Sequence, residues 1–345
     1  MAAHSAGSLR TYLLVRIALV IPMVVLLLTL VFLLLRVAPG DPVQAALGGH
    51  VPQSVINQRR HAAGYDRPVL VQYGSYLRQV LTGNFGRTLT DNRSISSIIA
   101  TNGAATLELT IVALLIAIGV GLPVGMLAGR FRDGWFDLGA RTFGVVVYAA
   151  PVFLTGLLSQ LIFAKWLAVL PSNGQADQLT LAFSLKPHTN ILLIDALIDG
   201  SGSALVDVVK HLVLPAFTLG LLISGVFIRL VRVNVIQTMR GDYVEAARAR
   251  GIVERRVVVR HAFRNALVPV ITVVGLHAAL LMSGAVLTEV TFNWPGIGQA
   301  LINYLNLRDY TAVQGIITVF ALVVVAISLL IDLLSAWADP RVRYS

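Results

Sequence analysis

Six stretches of the chain, 17–35, 109–129, 142–164, 212–228, 266–288 and 311–331, run for 17 to 23 residues without a charge. A hydrocarbon core ~30 Å thick is crossed by about 20 apolar residues in helix, or about 9–11 in strand. Lipid offers the backbone no hydrogen bonds, so only helices and closed barrels span it. Runs of this length read as helices. The spans are set at 13–36, 105–129, 142–164, 212–232, 265–289 and 311–334, the shortest run being continued through Arg229 and Arg232. The 345 residues are 56% hydrophobic and 13% charged, which fits an all-α polytopic membrane protein. The stretch 178–198 is apolar in part, but Lys186, Pro187 and Asp195 interrupt it, and it is not counted. The first run exceeds the ~7–15 residues of a signal-peptide core and reads as a retained helix.

Six spans place both termini on one side. Segments 1–12, 130–141, 233–264 and 335–345, with the flanking Arg16, Arg229 and Arg232, hold 16 of the 27 Lys and Arg residues, which makes that side cytosolic. The outer segments are then 37–104, 165–211 and 290–310. Seven of the remaining 11 basic residues fall in or beside the first of these, which is too long to count in the rule. The net charge of +10 is assigned to the membrane surface, not to nucleic acid. There is no cysteine, so a disulfide, a thiolate metal site and a Cys nucleophile are excluded. No two of the seven histidines are spaced i, i+4, and no metal site is expected.

The cytosolic segment 242–251, DYVEAARARG, is a short charged insert between apolar runs. Its Glu, Ala and Arg are good helix formers, Asp242 is placed to cap the start, and Gly251 suits a left-handed C-terminal cap. A helix lying on lipid needs bulky apolar residues on one face, and Ala246, Ala247 and Ala249 supply little area. They make a thin helix that another protein can approach closely.

EAARARG followed by RHAFRNALVP resembles the EAA loop in the integral-membrane subunits of bacterial ABC importers. The general family pattern has proline 13 residues after the glycine. Here Arg264 stands there and the proline is at 269, as in the peptide-transport branch. LLLRVAPGDPV (33–43), YDRPVLVQYGSYLRQVLTGNFGRTL (65–89) and EVTFNWPGIGQALINYLNLRDYTAVQG (289–315) resemble the B-type dipeptide and oligopeptide permeases of that branch. The resemblance implies a type I importer fold, with a small extracytoplasmic domain between the first two spans where a substrate-delivering protein would dock. It implies a second homologous permease, two ABC ATPase subunits and an extracytoplasmic binding protein as partners, within the bacterial inner membrane. ATP and Mg would be bound by the ATPases, and no cofactor by this chain, which lacks G-x-x-x-x-G-K-[ST]. Asp242, Glu245, Ala246, Ala247, Arg248, Arg250 and Gly251 would couple to the ATPase, the alanine face entering a groove and Glu245 and the arginines fixing its angle. The cargo implied is a dipeptide or short peptide; nickel chelates and haem are handled by relatives of the branch.

Six further residues are candidates for an outer gate or pathway: Glu108, His277, Glu289, Trp294, Pro295 and Gly296. Glu108 is placed near the interface, where a charge is cheap, with a structural role favoured. His277 is expected to bond a neighbouring helix. Trp294 suits an aromatic anchor at the interface, in a turn or re-entrant element formed by FNWPGIG. Two other classes are weighed. A secondary transporter needs intramembrane carboxylates, and only Glu108, Glu289 and Asp332 are available, all near span ends. A protease dyad of Ser224 and His277 lacks the G-x-S-G setting, since Leu222 stands two before the serine.

Overall fold

The computed structural model describes residues 9–37, 41–47, 51–258, 263 and 268–338. Their regular structure is helical, and their β pairing is one isolated bridge, Arg87 to Ser94. The helices are α1 (Leu9–Val37), α2 (Pro42–Leu47), α3 (Gln53–Ala62), α4 (Val69–Thr82), α5 (Ile95–Arg130), α6 (Trp135–Ala149), α7 (Val152–Ser159) and α8 (Leu192–Ile198). There follow α9 (Gly202–Thr238), α10 (Asp242–Ala249), the single turn α11 (Glu254–Arg256), α12 (Val268–Gly284), α13 (Val286–Thr291), α14 (Ile297–Asn306) and α15 (Tyr310–Ala338). Stretches of α1, α5, α9 and α15 are long and apolar enough to cross a membrane, and α6 with α7 makes a fifth if that bent pair is one span.

Polar residues lengthen these helices beyond the uncharged runs. The fourth run becomes the 37-residue α9, whose ends carry Asp207, Lys210, Arg229 and Arg232. The third differs more. Ala150 is extended and Pro151 follows, so α6 and α7 meet at 101°, and the helix then widens into a π-helical stretch at Gln160–Trp166. A residue before proline avoids the helical region, which accounts for the break. The fifth run divides at Ala285, leaving Glu289 on the short α13 and not on α12. The stretch 178–198 holds only a π-turn (Thr180–Ser184) and α8.

α9 is the centre of the bundle. Its most apolar window is 78% buried, against 17–28% for the other three long helices. Its most extensive contact is with α5. Ala113, Ala117, Gly121, Gly125 and Gly129 recur every four residues on α5 and form one stripe along a helix face. Against it lie Gly220, Phe227, Ile228, Val231 and Val235 of α9. A Cβ on Gly125 would stand 2.8 Å from the Ile228 carbonyl oxygen and 2.8 Å from Val231 Cβ; one on Gly220 would stand 2.5 Å from the Ala113 oxygen. Backbones this close gain dispersion along their whole length, which is how helices associate in lipid without a hydrophobic drive. α6 approaches α9 in the same way, Gly144 against Gly225. A bidentate ion pair from Arg232 to the fully buried Asp137 closes that junction at the start of α6.

The described residues between 41 and 94 form a small helical unit with its own core of Val43, Ile56 and Leu89. It is tied to α15 by Tyr65 to Thr311 (2.9 Å) and Tyr76 to Thr318 (2.7 Å). The buried Asp309 accepts from the amides of Leu89 and Thr90.

The stripe yields a paired test. Gly125→Ala forces α5 and α9 apart and costs about 1–3 kcal/mol, lowering the melting temperature of the protein in detergent. Gly119→Ala lies on the exposed face of α5 with nothing within 4 Å, and leaves the melting temperature unchanged or raised. Equal effects of the two would contradict this packing.

Candidate functional sites

The segment singled out between the fourth and fifth runs folds as expected, with two corrections. α10 begins at Asp242, but the residue in the cap position is Gly241, and Asp242 contributes a charge in the first turn, not a capping bond. Its end is a Schellman motif: Gly251, at φ +73°, donates to the Arg248 carbonyl (2.9 Å) and Ile252 donates to that of Ala247 (3.2 Å). The alanines do not share one face. Ala247 is buried with Val244 and Val257 against Met239 and Ile252, while Asp242, Glu245, Ala246, Arg248, Ala249 and Arg250 are exposed. The surface available to a partner is therefore Ala246 and Ala249 among charges, with Ala247 as the anchor beneath.

Met239 also packs into the cluster of Val231, Val235 and Val270. One side chain thus joins α10 to the end of α9 three residues upstream. Arg248 is held by Glu254 through Nη2 (2.8 Å) and Nε (3.1 Å), a partner that reading by motif missed. The Arg248 guanidinium holds the Glu254 carboxyl below the ordinary carboxylate value.

At the opposite end of α5 a second cluster forms around Glu289, which is fully buried. Thr106 Oγ1 donates to its Oε1 (2.6 Å) and accepts from the Ile297 amide (2.9 Å). The Gln299 amide donates to Oε2 (2.9 Å), so the carboxylate sits at the amino terminus of α14, where unpaired N–H groups favour negative charge. FNWPGIG wraps this carboxylate. A Cβ on Gly296 would fall inside it, and one on Gly298 would stand 2.8 Å from Oε2. Trp294 is not an interfacial anchor: it is fully buried in the main core and its Nε1 donates to the Ala105 carbonyl (2.9 Å). Asn102 donates to the oxygen of the exposed Pro295 (2.8 Å).

Glu108 lies two residues after Thr106, on a different face of α5, and is also buried, not at an open interface. It accepts from the Leu193 amide (2.8 Å) and from Gln175, and so fastens segment 172–198 over the end of α5. His277 is separate from both clusters. Its Nδ1 donates to Val273 (2.9 Å) on its own helix, and its ring meets Phe227 edge-on at 5.6 Å. Ser224 donates to Leu221 (2.6 Å), so the two members of the dyad each bond their own helix. Among the described residues one group has the donor spacing for a metal ion, Asp177, Asp207 and His211. These residues are bonded among themselves: His211 Nδ1 donates to the Asp207 main-chain carbonyl (2.9 Å) and lies 3.1 Å from its carboxylate, which accepts from the Asp177 amide (2.8 Å).

With the geometry in place, sequence comparison separates the classes. Residues 121–344 match the family described as binding-protein-dependent transport system inner membrane component, and 9–102 match its amino-terminal region. The chain belongs to that family. It is 38% identical over 330 residues to the di/tripeptide transport system permease protein DppB of Pseudomonas aeruginosa, covering 95% of this chain and 97% of that one. It is 35% identical over 338 residues to the dipeptide transport system permease protein DppB of Escherichia coli, covering 96% and 98%. The glutathione transport system permease protein GsiC of Salmonella typhi is 32% identical over 333 residues, covering 96% and 99%. Family and apolar helices together make the chain a polytopic inner-membrane permease component.

Two outcomes test these sites. Thr106→Val leaves a buried carboxylate oxygen and the Ile297 amide unpaired, at about 1–3 kcal/mol each; the melting temperature falls, and Thr106→Ser restores it. An unchanged melting temperature for Thr106→Val would contradict the cluster. The Glu254 carboxyl is lowered in the folded chain, so its contribution is complete above the ordinary carboxylate value and fades as pH falls through the lowered one. Both partners are about half exposed, which limits the pair to ~0–1 kcal/mol. Amide exchange in 242–252, corrected for intrinsic rate, speeds up on acidification in the wild type, and Glu254→Gln abolishes that change.

Proposed function

We propose that the chain is the membrane-spanning permease subunit of an ATP-driven importer that moves dipeptides or short peptides inward across the cytoplasmic membrane. The observation that carries this reading is identity of 35–38% along nearly the full length to permeases named for dipeptide and tripeptide transport. Six spans cross the bilayer, the bent α6–α7 pair and α12 completing the four long helices, and both termini lie in the cytosol. The 41–94 unit and the Glu289 cluster then face outward and α10 faces the cytosol.

The chain contributes no catalytic site. ATP and Mg bind to two partner ATPases, a second homologous permease completes the pathway, and an extracytoplasmic binding protein delivers the peptide. Alternating access is a two-state rearrangement, and each ligand shifts it only through contacts that differ between the states. α10 is the coupling helix in this reading. Its exposed Ala246 and Ala249 admit another backbone, Glu245, Arg248 and Arg250 orient it, and the buried Val244 and Ala247 transmit force to the end of α9.

The test is co-purification with the partner permease and ATPases. Ala246 is exposed, so Ala246→Trp leaves the fold intact while blocking close approach. Wild type retains the ATPases and takes up labelled dipeptide in proteoliposomes with ATP; Ala246→Trp loses both by tenfold or more. Full ATPase retention by Ala246→Trp would refute α10 as the docking helix. A wild-type complex that hydrolyses ATP without dipeptide uptake would refute the substrate class.

A further inference from the structure

The 41–94 unit, the end of α1 and the start of α15 enclose a cavity of ≈520 Å³. Five arginines line it, Arg36, Arg59, Arg67, Arg78 and Arg87, and no Asp or Glu is among its walls. The carboxylates of the same region are engaged elsewhere. Asp41 pairs with Arg60 and Asp66 with His61; Asp91 accepts from Thr88 and Tyr304, and Asp309 from the Leu89 and Thr90 amides. Among the described residues none of the five arginines has a carboxylate partner. Arg59 and Arg87 reach only the neutral Asn92.

Two buried atoms in these walls lack any partner. Arg36 Nε is enclosed with no acceptor, while its guanidinium lies 4.5 Å from the Tyr65 ring centroid and 4.9 Å from that of Phe32. Gln72 Oε1 is enclosed with no donor. Burial of such groups is costly unless something bonds to them. A ligand matched to these walls brings an anion for the arginines and a hydroxyl or similar donor for Gln72. Guanidinium forks match phosphate oxygens in shape and charge.

The place of the cavity indicates the source. Arg36 closes the last turn of α1, whose Leu26, Leu30, Leu33 and Leu34 are exposed, and Thr311 and Gln314 open α15. α4 exposes Leu70 and Leu81 beside it, 84% and 87%. If α1 and α15 span the bilayer, as the proposed function has it, the arginines sit at headgroup depth with the exposed leucines of α1 running down from them. We propose that the cavity binds the headgroup of an anionic, hydroxyl-bearing phospholipid of the phosphatidylglycerol type, its phosphate held by Arg36 and Arg78 and its acyl chains along the leucines of α1. The bound lipid would fix the 41–94 unit to the membrane surface.

The assembled transporter is reconstituted in mixed phosphatidylcholine and phosphatidylglycerol, extracted in detergent, and its retained lipid counted by native mass spectrometry. Wild type keeps phosphatidylglycerol in excess over phosphatidylcholine, and Arg36→Gln/Arg78→Gln loses roughly tenfold of that excess, in keeping with the strength of charged hydrogen bonds. Arg78 is exposed, so Arg78→Gln alone serves if the double variant does not assemble, with a smaller loss in the same direction. No excess in wild type, or an equal excess in the variants, overturns the proposal. Displacement of the lipid by millimolar inorganic phosphate or dipeptide assigns the cavity to a free anion and overturns it equally. Dipeptide uptake by the same preparation judges the proposed function separately, since lipid retention does not depend on cargo.

Discussion

The fold depends on how closely α5 and α9 approach. Five small residues spaced by four remove side chains from one face of α5, so the backbone of α9 is seated against it from Gly220 to Val235. In water a core of large apolar residues would provide such cohesion, but among lipid tails Leu gains nothing by leaving its surroundings. Contact area per helix is what remains, and small residues maximise it. The other helices attach to this pair: α6 through Gly144 and the Asp137–Arg232 ion pair, and α13 and α14 through Thr106 and the carboxylate of Glu289. Removing one partner from the buried ion pair leaves an uncompensated charge, which costs about 3–5 kcal/mol. It is a strong lock on a junction otherwise made of glycines.

In the proposed transport cycle this arrangement also sets what moves together. α9 ends at Thr238 and α10 begins at Asp242, with Met239 packed on both. α5 carries Thr106 and Glu108, which hold the 293–299 turn and segment 172–198 at the far end. In the proposed transport cycle, a displacement imposed on α10 passes into α9, then across the glycine stripe into α5. The polar groups that clasp the outer segments ride on that helix. His277, on α12, touches this path only through the ring of Phe227.

Much of this was legible in the chain. Uncharged runs of about 20 residues marked the long helices because lipid imposes a length, and DYVEAARARG carried helix formers and a left-handed glycine that the structure honours. What was missed depends on tertiary contacts. Pro151 lies inside an uncharged run whose apolar neighbours conceal it, although it prescribes the 101° bend. Trp294 looked interfacial by residue type, and only the Ala105 carbonyl explains its burial. Ala247 could not be told from Ala246 by composition; a helical wheel showing Val244 and Ala247 three apart would have separated them. The spacing of Ala113, Ala117, Gly121, Gly125 and Gly129 was visible as a small-xxx-small pattern and was the overlooked signal. No pattern in the chain foretold Asp137 with Arg232, which lie 95 residues apart.

The central claim is that α5, α9 and α10 move as one body. The chain contains no cysteine, so Gly119→Cys and Tyr243→Cys place two spin labels at exposed sites on α5 and α10, away from the alanines proposed to meet the ATPase. Their separation, measured by pulsed electron resonance in the assembled transporter, is predicted to stay the same with and without ATP. In the proposed assembly, the separation between a label at position 243 and one on the second permease should change. A shift in the distance between positions 119 and 243 on ATP binding would contradict the account, because α10 would then move independently of the helices to which it is packed.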